Sequence, residues 1–85
     1  MANSLNSLGY KLYYAFKNAE AAIKVFTIGT EMDPNAGYIW DSIGEIYFSE
    51  KDYISSERAC LKALEIDPSL NSSINMLKKI AKLKK

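Results

Sequence analysis

The chain has no histidine. The side chain that most often serves as a general base near neutral pH is therefore missing, and with it the usual partner of a serine or cysteine nucleophile. There is a single cysteine, Cys60. One cysteine excludes an internal disulfide, and without histidine it excludes zinc ligation by spaced Cys and His residues. The four glycines are scattered, so no glycine-rich phosphate loop is present. No run of about 18 apolar residues occurs, so no membrane-spanning helix is expected. The opening Met-Ala-Asn-Ser-Leu-Asn-Ser lacks the charged-then-apolar plan of a signal peptide, and the expected location is cytoplasmic.

What is present is an ordinary soluble composition, 48% hydrophobic and 25% charged over 85 residues. That length makes a single domain, 1–85, with a core that is marginal for its size. Six tyrosines are more than so small a core needs, which points to a surface that contacts something. The net charge of +1 is uneven. Residues 78–85 carry five lysines and no acid, which leaves six basic against ten acidic side chains in the rest. We read the basic end as a solvated final helix whose lysines complement the helix dipole. Nucleic-acid and membrane contacts are the less favoured readings of that end.

The most informative stretch is Trp40-Asp41-Ser42-Ile43-Gly44-Glu45-Ile46-Tyr47. Apolar side chains at Ile39, Trp40, Ile43, Ile46 and Tyr47 follow the rhythm of a helix showing one face to a core. A glycine inside a helix costs roughly 1 kcal/mol relative to alanine. Gly44 therefore predicts a second helix passing too close for a Cβ, with the small Ser56 and Cys60 as its near face. Cys60 is accordingly read as a packed residue.

Two turns set a period. Asp33-Pro34-Asn35 and Asp67-Pro68-Ser69 lie 34 residues apart, and each proline halts a preceding helix. Asn35 and Ser69 are placed to cap the helices that follow. The same offset relates Lys17-Asn18 to Lys51-Asp52, read as tight turns with Asn18 and Asp52 as N-caps. An earlier unit, about 3–34, carries Leu5-x-x-Leu8-Gly9-x-x-Leu12 and Ala22-x-x-x-Phe26. Gly9 to Ala22 spans thirteen residues where Gly44 to Ser56 spans twelve, so one extra residue falls near Tyr13 to Phe16, as a bulged or longer turn. A second unit runs over about 37–68, with Ile54, Ala59, Cys60, Ala63, Leu64 and Ile66 as apolar positions of its second helix. The last stretch, about 70–84, repeats the first-helix spacing as Ile74-x-x-Leu77-Lys78-x-x-Ala81. Lysine in the glycine place marks it as a capping helix. Five helices are expected, at roughly 4–16, 18–32, 36–49, 52–66 and 70–84.

Trp-x-x-Ile-Gly-x-x-Tyr, then Ser-x-x-x-Cys, then Pro68, at a period of 34, resembles the tetratricopeptide repeat. The resemblance implies an all-α, right-handed solenoid of antiparallel helix pairs. It further implies a scaffold that holds a peptide or protein segment in a concave groove lined by the first helix of each unit. The groove places are Asn3, Asn6, Tyr10 and Tyr13, then Tyr38, Asp41, Glu45 and Phe48, then Ser72, Asn75, Lys79 and Lys82. Aromatics flanking two acids suit a basic-aromatic or amphipathic segment. Packing of Tyr10, Tyr13 and Phe48 within a short array is the competing reading. Asp41 and Glu45, four apart, are read as a solvated pair and not as acid–base catalysts. One subclass of the family grips chaperone-tail carboxylates with Lys, Asn and Arg. Its places here hold Asn6, Tyr10, Ser42, Ser72 and Met76, so no such binding is expected.

The segments Leu5-Asn6-Ser7-Leu8-Gly9-Tyr10, Asp41-Ser42-Ile43-Gly44-Glu45 and Met76-Leu77-Lys78-Lys79 are also similar to repeats appended to bacterial serine hydrolases of the β-lactamase class. That likeness implies a second role, a non-catalytic module packed on a larger enzyme or on a copy of itself. An extracytoplasmic location follows if the enzyme is secreted. Either way the chain is expected not to be an enzyme, to need no cofactor or metal, and to have a protein or peptide partner. The aromatic face of Tyr10, Tyr13, Tyr14, Tyr38 and Phe48 is expected to be covered, by a partner segment, a neighbouring domain or a second copy of the chain as a homodimer.

Overall fold

The computed structural model describes the backbone of residues 2–83 and the side chains of residues 4–83. Five helices follow one another, α1 (Ala2–Tyr14), α2 (Ala19–Met32), α3 (Gly37–Ser49), α4 (Tyr53–Ile66) and α5 (Asn71–Leu83). No strand occurs among the described residues. The expected Lys84 end, and the Asn3 side chain assigned to the groove, lie outside what is described.

Local chemistry explains most boundaries. The Asn18 side chain accepts a hydrogen bond from the Ala21 amide at 3.0 Å, and Asp52 does the same for Ser55 at 3.2 Å. Each satisfies an amide that the first turn of a helix leaves without a partner. Lys17 and Lys51 precede these caps in left-handed conformation, with φ of 54° and 64°. At the end of α3, the Asp52 amide reaches the Tyr47 carbonyl at 2.9 Å and the Lys51 amide reaches Phe48 at 3.0 Å. That pair of bonds closes the helix in the usual six-to-one and five-to-two pattern.

The end of α1 is one residue wider. The Asn18 amide reaches back to Leu12, at 3.0 Å, and the Phe16 amide to Lys11, at 3.4 Å. The extra residue expected near Tyr13 to Phe16 is thus taken up as a widened turn after Tyr14. Phe16 is left 66% exposed.

Two caps fall elsewhere than expected. Ala36, not Asn35, stands before α3, without a side-chain cap. Ser69 also fails to cap, because α5 begins at Asn71. Its amide and hydroxyl instead bond to Asp67, at 3.1 and 2.6 Å, and hold that carboxyl below its ordinary range. Packing decides both cases. The residues at the two boundaries, Ala36 and Leu70, are drawn inward, and Ala36 is 7% exposed.

The core is made by the faces the apolar spacing selects. Ala22, Phe26, Ile39, Ile43, Ile46 and Ala59 form it, with Tyr10, Leu12, Tyr13, Ile23, Tyr38, Trp40 and Tyr47 packed around. The two repeat glycines lie at the close crossings. A Cβ on Gly9 would sit 2.5 Å from the Phe26 ring, and one on Gly44 would sit 2.9 Å from Cys60 Sγ. The Ser56 hydroxyl donates to the Gly44 carbonyl at 2.8 Å, which ties the second crossing together. Cys60 is fully buried, and burial pushes its thiol up to about 11, so it packs as an un-ionised side chain. Ile54 departs from expectation. It lies in the first turn of α4 and is 62% exposed.

Candidate functional site

The helices form two layers. The first helices, α1, α3 and α5, lie side by side in contact, while α2 sits against α1 and α3, and α4 against α3 and α5. Among the described residues α2 and α4 make no direct backbone contact, and a cleft lined by Ile23 and Thr27 on one side and by Ser55, Arg58 and Ala59 on the other lies between them. The face that α1, α3 and α5 share is termed the inner face.

Positions four apart project from one helical face, and the repeat brings equivalent positions into rows. Asn6, Asp41 and Asn75 make one row by register, and Tyr10, Glu45 and Lys79 the next. Between α1 and α3 the rows are joined by hydrogen bonds. The Tyr10 hydroxyl donates to Ser42 Oγ at 2.9 Å and stands 3.4 Å from Glu45 Oε1. The Ser42 hydroxyl lies 2.8 Å from Asn6 Oδ1 and 3.1 Å from the Tyr38 carbonyl, either of which can accept its proton. Tyr14 donates to Glu45 Oε2 at 3.0 Å, and Tyr13 to Glu50 Oε2 at 2.8 Å. Between α3 and α5, Ser73 donates to Asp41 Oδ1 at 2.5 Å.

These contacts revise the expectation for the aromatic face. Tyr10, Tyr13, Tyr38 and Phe48 are half-buried, and of the five aromatics only Tyr14 is exposed, at 58%. The Tyr10 ring meets Phe26 edge to face, with centroids 5.2 Å apart, and Phe48 meets Tyr53 in the same way at 5.4 Å. Tyr10 thus serves the core with its ring and the inner face with its hydroxyl. A broad solvated aromatic patch, which would call for a covering partner, domain or second copy, is absent among the described residues because internal packing has used most of its rings. Asp41 and Glu45 also differ from expectation. They are half-buried acceptors of hydroxyl hydrogen bonds and not a freely solvated pair.

Burial pushes the Tyr10 phenol up to about 12. The Ser42 hydrogen bond opposes that push, and the Glu45 and Asp41 charges add to it. In the unfolded chain the phenol ionises near its ordinary value, so the folded chain holds this proton longer. The associated stability is intact below about pH 10 and is lost as pH rises towards about 12. Urea midpoints of the wild-type chain should therefore fall more steeply over that interval than those of Tyr10→Phe. Parallel declines would show that Tyr10 is not buried as described.

The other half of the inner face is open. A cleft of about 500 Å³ between α3 and α5 is lined by Glu45, Phe48, Ser49, Ser72, Asn75, Met76 and Lys79. Five of the residues expected in the groove, Glu45, Phe48, Ser72, Asn75 and Lys79, are brought together here. Asn6, Tyr10, Tyr13, Tyr38, Asp41 and Lys82 do not line this cleft; Asn6 and Tyr10 bond to α3, and Asp41 bonds to Ser73 of α5. Ser49, Met76 and Glu50 were missed. Their roles depend on partners from other helices, and no local spacing announces them.

Residues 38–70 match the sequence profile described as Tetratricopeptide repeat. A comparison with curated proteins finds no match to the chain.

Proposed function

For a chain built as a tetratricopeptide-type repeat stack, we propose the role of a binding scaffold that holds a segment of a partner protein on the inner face of α1, α3 and α5. Repeats of this type generally mediate contacts between proteins. The observation that carries the reading is the α3–α5 cleft. Phe48 and Met76 give it apolar surface, Glu45 and Lys79 bring opposite charges, and Asn75 and Ser72 add polar groups. Apolar contact with a few polar groups is what a recognition cleft for a peptide side chain requires. The α1–α3 half, already cross-linked by Tyr10, Ser42 and Asn6, acts as its rigid wall.

Selection from a displayed random-peptide library tests this. Peptides should be enriched whose binding is lost in the double variant Phe48→Ser, Lys79→Glu. They should survive Lys62→Glu on the far side of α4. An absence of enriched peptides would sink the reading, as would binding indifferent to the cleft variant.

A further inference from the structure

Where α1 ends, the inner face carries two adjacent tyrosines in place of the Phe48 and Ser49 that stand at the same register in α3. The Tyr13 and Tyr14 rings meet edge to face, with centroids 5.0 Å apart and planes at 73°. With Glu50 and Lys17 they line a cleft of about 320 Å³. The hydroxyl of each ring is fixed on a carboxylate, Tyr13 on Glu50 and Tyr14 on Glu45. A neutral hydroxyl leaves the carboxylate charge in place, and among the described residues neither Glu45 nor Glu50 forms an ion pair. Lys17 also lines the cleft, but its ammonium makes no ion pair with Glu50.

Perpendicular aromatic faces beside an uncompensated carboxylate attract an organic cation. A guanidinium suits this cleft better than an ammonium. Its plane can lie on the exposed Tyr14 ring while its fork of N–H groups meets Glu50. We propose that the cleft of Tyr13, Tyr14 and Glu50 seats an arginine side chain of the bound protein segment. This rests on the scaffold reading above and adds to it the chemistry of the partner. Lys17 then acts as a built-in competitor, since its charge opposes an incoming cation.

The test is a titration of N-acetyl-arginine amide into the isotope-labelled chain, followed by amide chemical shifts. Neutral N-acetyl-citrulline amide and N-acetyl-lysine amide serve as controls. Saturable shifts are expected at residues 13, 14 and 50, in the millimolar range usual for so small a ligand, and citrulline should produce none. Glu50→Gln should weaken binding by about threefold or more, as befits a partly exposed ion pair. Lys17→Gly should tighten it, because glycine adopts the left-handed backbone there freely. Thermal melts of both variants should not fall appreciably below wild type, so that a loss of binding is not a loss of fold. Non-saturating shifts would overturn the proposal. So would equal binding of citrulline, tighter binding of lysine, or indifference to Glu50→Gln. If library peptides bind the α3–α5 cleft while arginine fails here, the scaffold reading stands and this one falls. If arginine binds and no peptide is selected, the cleft's preference for a guanidinium stands, but the scaffold reading falls and with it the bound segment as the source of that arginine.

Discussion

Replacing Phe26 by alanine should cost about 3–5 kcal/mol of folding free energy, the usual range for a fully buried ring. Phe26 is 0% exposed. Its ring fills the space that Gly9 leaves open, at 2.5 Å from where a Cβ would stand, and supports Tyr10 edge-on. Removing it opens a cavity between α1 and α2 and takes away the surface on which Tyr10 rests. A domain of this length holds on the order of 4–13 kcal/mol in total. The variant should therefore unfold at a much lower urea midpoint with a similar denaturant slope. Because Tyr10 joins α1 to Ser42 and Glu45, its amide and ring signals should shift as well. A loss below about 1 kcal/mol would mean that α1 and α2 do not pack through this ring.

The second large effect is expected at the other repeat glycine. In Gly44→Leu the new Cβ would lie 2.9 Å from Cys60 Sγ, 3.4 Å from the Ser56 carbonyl and 3.6 Å from Ala59 Cβ. The carbonyl belongs to the α4 backbone and cannot rotate aside, so the two helices must separate. Overpacking of this sort costs about 1–3 kcal/mol or more. It would also stretch the Ser56 to Gly44 hydrogen bond. Gly44→Ala should show part of the same penalty, set mainly by the contact with Cys60. Cys60→Ala removes that sulfur, so the double variant Gly44→Ala, Cys60→Ala should be more stable than the sum of the single changes predicts. Strict additivity in denaturation would show that the crossing is not what requires glycine at 44.

For Gly9, spacing indicated its repeat position and the structure supplied the Phe26 ring opposite it. The close crossing at Gly44 could be read from spacing alone. So could the 34-residue period and the caps at Asn18 and Asp52, because a cap and its amide lie within one turn of chain. The inner face was legible only in outline. Register placed Glu45, Phe48, Asn75 and Lys79 together, and they share one cleft. Spacing did not indicate that Ser42 and Ser73 would be buried donors, since their acceptors Asn6 and Asp41 stand 36 and 32 residues away. Nor could it divide Tyr10 between core and groove. A tyrosine has an apolar ring and a polar tip, and only its neighbours decide which end is satisfied where.

The sequence by itself determined the five helices, their pairing and their order in the stack. Those follow from periodicity, turn chemistry and glycine, which act over a few residues. The tertiary structure alone decided where the widened turn after Tyr14 falls, which aromatics remain in solvent, and which half of the inner face is open. Those outcomes depend on packing and hydrogen bonds between residues about one repeat apart, whose strength is set by distances that no linear spacing encodes.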